Sequence, residues 1–316
     1  MIKQLQMGRF SLFLLIFMAL FFAVEGVYSQ SGKIYKPLPL GSPGSLILDP
    51  NQDGYVSSST AGFTGSVDFG TASEIRYHPL PTLFPELKGD TKTGTAHTDL
   101  IGNSGDGHID PGTFMYNDGE NLLFRTRLVG GSNATKGYSF FFDTEGDGIP
   151  NYEIWLLTGG SSPGVKLLQR TGEGTFTQVG PTLPESAYVQ RSLAGNINGD
   201  QTVFYEWYVP TDLLPTAISE SCFRIASSTI TSASRSYLQG GTLADLGGLK
   251  DNEFGSLDAA LKLVLLSSPC TNLSDLEEGG GFGAPKAVAP TVTGPIFTSA
   301  TTVSGTSIED EGSTVT

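Results

Sequence analysis

Several stretches of this chain set oxygen-bearing side chains at alternate positions around a glycine, the pattern that wraps a hard divalent cation. In the clearest, Asp49, Asn51 and Asp53 occupy positions one, three and five, and Gly54 follows at six. Tyr55 offers its backbone carbonyl at seven and Ser57 a hydroxyl at nine. These are the first two-thirds of an EF-hand-type calcium loop. Thr60 stands where the bidentate acid of position twelve belongs, so a closing carboxylate has to come from elsewhere, for example Asp68 or Glu74. Asp143, Glu145 and Asp147 repeat the spacing, with Gly148 next, Asn151 at nine and Glu153 at eleven. Weaker copies are Asn196, Asn198 and Asp200, built largely on amides, and the partial pair Asp106 and Asp110. Asp, Asn and Gly are also the ordinary residues of β-turns, and the Asn196 copy reads more simply as a hairpin turn. The cofactor expected is structural Ca²⁺, with the Asp49 loop its first candidate and the Asp143 loop its second.

Catalytic constellations do not assemble in the same way. His78, His97 and His108 share no zinc-ligand spacing, and no G-x-S-x-G elbow is present. Glu153 and Glu206 are nominal candidates for a glycosidase pair, although an acidic chain supplies such pairs by chance. The sequence therefore predicts a protein that is not an enzyme. Trp155 and Trp207 could stack on a sugar ring, but both lie in strongly apolar runs where a core role is the commoner one.

The elements that must position these residues are strands. Alternating or aromatic-rich runs recur between turn clusters at residues 121–129 (NLLFRTRLV), 138–142, 152–157, 165–169, 202–209, 222–226 and 261–266. In the first, Phe124, Thr126 and Leu128 share one face, and Arg125 and Arg127 the other. Short helical turns are possible at residues 210–215 and 243–249. The fold expected is all-β, a single large antiparallel β-sandwich of the jelly-roll, carbohydrate-binding-module-like type over residues 30–273. A Gly/Pro linker over 274–290 then leads to residues 291–316, read as the truncated start of an Ig-like β domain.

The N-terminus reads as a cleavable export signal over residues 1–29. Lys3 and Arg9 precede an apolar run at 10–24, and Val27-Tyr28-Ser29 offers a small-residue cleavage site before Gln30. The run is shorter than the roughly 20 residues a membrane span needs, so no transmembrane helix is expected after cleavage. The formal net charge of −14 becomes −15 once Lys3, Arg9 and Glu25 are gone, which excludes a basic nucleic-acid footprint. Cys222 and Cys270 are the two cysteines of the chain. In an oxidising compartment they are expected to pair, closing a loop of about 48 residues worth roughly 3–4 kcal/mol.

The runs SLILDPNQDGYVS, ASEIRYHPLP, NLLFRTRLVGGSNATKGYSFFFDTEGDG and FYEWYVPTDLL, spread between residues 45 and 214, resemble the N-terminal domain of large Bacteroidetes surface proteins. These are the gliding-motility-associated, type 9 secretion group, and their domain is in turn similar to carbohydrate-binding module family 9 (DOMON-like) sandwiches. The resemblance covers roughly residues 45–266. It implies a secreted or outer-surface location, the export machinery as a partner, and an adhesin or secretion cargo that could contact glycans or other surface macromolecules. Two other readings stay open: a purely structural cap without a ligand, or an accessory domain of a secreted carbohydrate-active enzyme. The tryptophan clamp of the sugar-binding family does not align with Trp155 or Trp207.

Overall fold

The computed structural model describes residues 31–57, 61–63, 74–92, 95–102, 111–131, 136–172, 175–231, 243–251, 254, 257–282, 291–292 and 305–306. The export-signal segment lies outside the described residues, as do Thr60, Asp68, His108 and the Asp106–Asp110 pair.

Two antiparallel sheets form the body. The first runs in the order β1 (Ile34–Lys36), β10 (Val189–Ile197), β11 (Asp200–Pro210), β4 (Asn121–Leu128), β3 (Thr113–Asn117) and β2 (His78–Pro79). The second runs β13 (Leu243–Leu246), β12 (Arg224–Ile230), β5 (Lys136–Asp143), β6 (Tyr152–Thr158), β7 (Gly164–Gly172) and β8 (Thr175–Gln178). The short β9 (Leu183–Pro184) also pairs with β7. The all-β expectation is met. Period-two alternation explains the choice of face: Leu122, Phe124 and Leu128 of β4 point between the sheets, as do Val203, Tyr205 and Trp207 of β11. They meet Tyr138, Phe140 and Phe142 of β5 and Ile154 and Leu156 of β6 in one continuous core.

The outward faces are covered as well, and this decides where polar groups sit. Residues 37–57 and 74–77 lie over the first sheet, where Leu38, Leu48, Ile75 and Tyr77 pack on Phe114, Leu123 and Tyr208. Every residue of β4 is consequently buried, including Arg125 and Arg127. The outer face of the second sheet, with Phe141, Trp155, Leu168 and Ala226, is covered by α4 (Leu257–Ser267). Two smaller helices lie near the first sheet, α1 (Ser45–Leu48) and α2 (Glu185–Tyr188), and α3 (Thr216–Ser219) follows β11.

Two sequence expectations are corrected. Residues 261–266 are not a strand but the C-terminal part of α4. Leu257, Ala260, Leu261, Val264 and Leu265 bury one helical stripe at i, i+3, i+4, i+7 and i+8, and the apolar run alone hid that period. Conversely, residues 243–246 form strand β13 on the edge of the second sheet, pairing with β12. The turn at residues 210–215 is helical as expected, a 3₁₀ segment at Thr211–Leu213.

The Cys222–Cys270 disulfide is formed, with its Cα atoms 5.3 Å apart. It joins the approach to β12 to the chain leaving α4, beside a backbone bridge between Phe223 and Thr271. Residues 291–292 and 305–306 pair as short antiparallel strands. Among the described residues no helix is long and apolar enough to cross a membrane.

Candidate metal centres

The Asp49 loop follows directly from α1 and folds into a tight turn. Gln52 and Gly54 both take positive φ, 58° and 80°, so Gly54 is needed where a side chain would be strained. Asp49 Oδ2 accepts from Gly54 N at 3.3 Å, Asn51 Oδ1 from Asp53 N at 3.2 Å, and Asp53 Oδ1 from Tyr55 N at 2.8 Å. The three oxygen-bearing side chains are thus ordered by the backbone they flank. Asp49 Oδ1 is buried and accepts no hydrogen bond.

Glu74, one of the two carboxylates the sequence offers to close this loop, lies near enough for the loop's charges to act on it, although the Asp49, Asp53 and Glu74 carboxylates do not converge within 4.8 Å of one another. It is buried, its Oε1 has no hydrogen-bond partner, and the negative charges of Asp53 and Asp49 act on it. Burial first, then Asp53, Glu206 and Asp49, push its carboxyl up to about 7, against the opposing pull of Arg125. Beneath them on the outer face of the first sheet runs a buried polar network. Arg125 Nε donates to Glu206 Oε1 at 3.1 Å, and Gln190 Nε2 donates to Glu206 Oε2 at 3.0 Å. The guanidinium lies 4.3 Å from the Tyr77 ring centre and 4.1 Å from that of Phe204.

The Asp143 loop is arranged differently. Asp143 is buried and both its oxygens are taken by backbone N–H groups. Oδ1 accepts from Glu145 and Gly146 at 3.1 and 2.6 Å, and Oδ2 from Gly148 at 2.8 Å. Asn151 Oδ1 accepts from Thr144 N at 2.8 Å. Glu145 and Asp147 are exposed. This arrangement closes the β5–β6 connection as a turn. Asn198 and Gly199, with φ of 51° and 88°, make the two-residue hairpin between β10 and β11, where Ile197 faces Asp200. Asp200 pairs with Lys88.

A further acidic group was not singled out in the sequence. One carboxylate oxygen from each of Glu86, Asp90 and Asp245 lies within 4.8 Å of the others, and all three residues are buried. Asp245 is on β13, and Glu86 and Asp90 come from the strap that precedes β3. Asp251 and Asp99 adjoin them, also buried. Burial, followed by mutual repulsion, holds the Glu86 and Asp245 carboxyls well above the ordinary range, and burial with repulsion from Asp99 lifts Asp90 to about 7. Two carboxylates 4.8 Å apart repel by about 3–4 kcal/mol at an effective dielectric constant of 20. Three such pairs, about 10 kcal/mol, rival the entire stability of a typical domain, about 5–15 kcal/mol. The group cannot stay fully ionised and bare inside the fold. No local spacing marks it, because its members are up to 159 positions apart and only the packing of the strap on β13 assembles them.

The residues nominated for sugar contact and catalysis are placed inside the protein. Trp207 is fully buried, stacked 5.7 Å from Phe124 and edge-on to Phe140 at 5.6 Å. Trp155 is 4 % exposed, under the α4 layer. Neither indole presents a face on which a pyranose could stack. Glu153 lies on the outer side of the second sheet, where it accepts from Ser139 Oγ at 2.6 Å, and Glu206 on the outer side of the first. The whole core separates them, so they do not flank one cleft. His78 lies on β2, its Nε2 2.9 Å from the Glu277 carbonyl, while His97 is in the strap before β3. No family model, curated protein or solved structure matches the chain.

Proposed function

We infer that this is an exported surface domain that performs no chemistry of its own and whose β-sandwich is held by structural Ca²⁺. The observation that carries the reading is the pair of buried carboxylate oxygens without a donor, one in the Asp49 loop and one on Glu74, in residues whose charges act on each other. A carboxylate 25 positions away in the sequence supplies negative charge beside a one-three-five oxygen set that lacked a closing acid. Asp49 Oδ1 and Glu74 Oε1 are both buried without a hydrogen-bond donor, a condition that native folds avoid unless another partner serves those oxygens. An oxygen-rich turn of this kind suits Ca²⁺, which accepts irregular sets of carboxylates and carbonyls. The segment it would fix is the same one that covers the outer face of the first sheet, so the ion would act as a staple for that layer.

Export, an outer-surface location and kinship with the Bacteroidetes surface group belong to this reading, on the strength of the N-terminal segment and the motif runs. Between its two versions, a glycan-contacting adhesin and a ligand-free cap, the burial of Trp155 and Trp207 favours the cap.

Removing Ca²⁺ with EDTA should lower the thermal midpoint and adding it back should restore it, because an ion that binds only the native state stabilises it by mass action. At about 100 times its Kd the gain is about 2.7 kcal/mol, or about 5–11 °C for a domain of this size. The double variant D49A/D53A should lose part of that response. A midpoint indifferent to chelation would leave these loops as turns only. Binding of the purified protein on a wide polysaccharide array would reinstate the adhesin version.

A further inference from the structure

We propose that Glu86, Asp90 and Asp245, with Asp251 beside them, form a second and fully enclosed Ca²⁺ site that latches the strap before β3 to the edge strand β13. It adds to the calcium reading given above but uses none of the Asp49 loop's residues.

The geometry of the oxygens is the main argument. In three of the four residues, one carboxylate oxygen is anchored by a backbone N–H. Glu86 Oε2 accepts from Gly248 at 2.6 Å, Asp245 Oδ2 from Leu100 at 2.6 Å, and Asp251 Oδ2 from Leu246. Their second oxygens, Glu86 Oε1, Asp245 Oδ1 and Asp251 Oδ1, are buried and receive no hydrogen bond, and neither do the two oxygens of Asp90. Glu86, Asp245 and Asp251 are 0 % exposed and Asp90 is 5 % exposed. The Glu86, Asp245 and Asp251 carboxylates are therefore each held in place at one corner while the other is left without a donor.

Protons would relieve the repulsion, and Asp245 and Asp251 face one another closely enough to share one. A proton on Glu86 or on Asp90 would add a buried O–H donor that needs an acceptor of its own inside the fold. A dication would serve the Glu86, Asp90 and Asp245 carboxylates together. Oxygens within 4.8 Å of one another fit a single Ca²⁺ shell, in which ligands at about 2.3–2.6 Å from the ion stand up to about 5 Å apart. Mg²⁺ suits the place less well, since it retains several waters and these side chains are closed off from solvent. The lysines whose charges reach the rim of the group, Lys92 at Asp251 and Lys250 at Asp90, would balance the carboxylates that remain in excess of the ion's charge.

The backbone is shaped around this contact. Phe84 N donates to Gly248 O at 3.2 Å and Lys92 N to Ala244 O at 2.8 Å, so the strap is tied on both sides of the acidic group. Gly248 has φ of 81°, and a Cβ there would stand 2.5 Å from Thr82 Cβ, so only glycine brings its N–H up to Glu86. The strap also reaches the first sheet, where Ile101 N donates to Arg127 O at 3.0 Å. An ion here would join the two sheets along one side of the sandwich.

The test uses the full chain, stripped with EDTA and titrated with CaCl₂ by calorimetry, for wild type, E86Q/D245N and D49A/D53A. Wild type should take up two Ca²⁺ per chain, and each double variant should lose one. The near-isosteric E86Q/D245N variant also gives a signature of opposite signs. In EDTA its thermal midpoint should lie above that of wild type, because repulsion is relieved. In saturating Ca²⁺ it should lie below, because the ion is lost. A variant that is more stable than wild type in both conditions, or that binds as much Ca²⁺ as wild type, would overturn the proposal. If wild type binds one ion and loses it only in D49A/D53A, the second site fails and the first stands. If it loses the ion only in E86Q/D245N, this site stands and the Asp49 assignment fails.

Discussion

Arg125 carries a positive charge into the covered outer face of the first sheet, where its side chain is 1 % exposed and its partner Glu206 is 0 % exposed. Replacing it with methionine keeps much of the volume but leaves the Glu206 carboxylate buried without its cation, although Gln190 Nε2 still donates to it at 3.0 Å. Breaking a buried ion pair from one side costs about 3–5 kcal/mol. At about 2–4 °C per kcal/mol for a domain of this size, the midpoint should drop by about 6–20 °C. Adding E206M should recover much of that loss, since two apolar side chains can replace a buried pair at little net cost. Recovery should be incomplete, because the Ala61 carbonyl, which accepts from Arg125 at 3.0 Å, and the Gln190 amide would both lose partners, at about 1–3 kcal/mol for each group left unsatisfied. Urea denaturation of wild type, R125M, E206M and R125M/E206M closes the cycle. A loss below about 1 kcal/mol for R125M, or a double variant as unstable as the two singles added together, would refute the view that this pair is desolvated and coupled.

Two other outcomes follow from the same structure. The double variant C222S/C270S should lose about 4 kcal/mol, the chain-entropy value for a separation of 48 residues, and equilibrium denaturation would read it; the Phe223–Thr271 backbone bridge should still form, so the fold should survive. Burial works against the charge of Glu185, but hydrogen bonds from Lys36 and Arg191 outweigh it and hold the carboxyl below its ordinary pKa. A depressed carboxyl contributes stability that is complete above its unfolded pKa, about 4.3, and is lost as pH falls through the folded value. The midpoint difference between wild type and E185Q should therefore stay constant from pH 7 to about 5 and shrink below about 4.3, and a difference that widens on acidification would contradict the assignment.

Much of the local structure was legible in the residues themselves. Strand β4 was readable because Phe124 and Leu128 alternate with Arg125 and Arg127. The Asn198-Gly199 turn was readable because those two residues tolerate the left-handed region. The cysteine pair was readable because two cysteines have one way to join. Helix α4 resembles a strand in the sequence because Leu261, Leu263, Val264, Leu265 and Leu266 form a nearly continuous apolar run, and a short run of that kind has no period of its own. What revealed the helix was its burial on the second sheet, where one stripe is covered.

The candidate sites divide along the same line. The Asp49 loop is local: nine consecutive residues carry its oxygen spacing and its glycine, so composition and order were enough to find it. That the charge of Glu74 acts on it could not be read from order, because it depends on how residues 74–77 lie over the first sheet. The centre at Glu86, Asp90 and Asp245 left no trace in the sequence at all. Its carboxylates have no common spacing, and each looks like an ordinary surface acid until the strap and β13 close over it. Strand period and turn chemistry are properties of neighbours along the chain. Burial of Trp207 and Trp155, desolvation of Arg125 and convergence of distant carboxylates are properties of the packed layers, and only the tertiary structure could decide them.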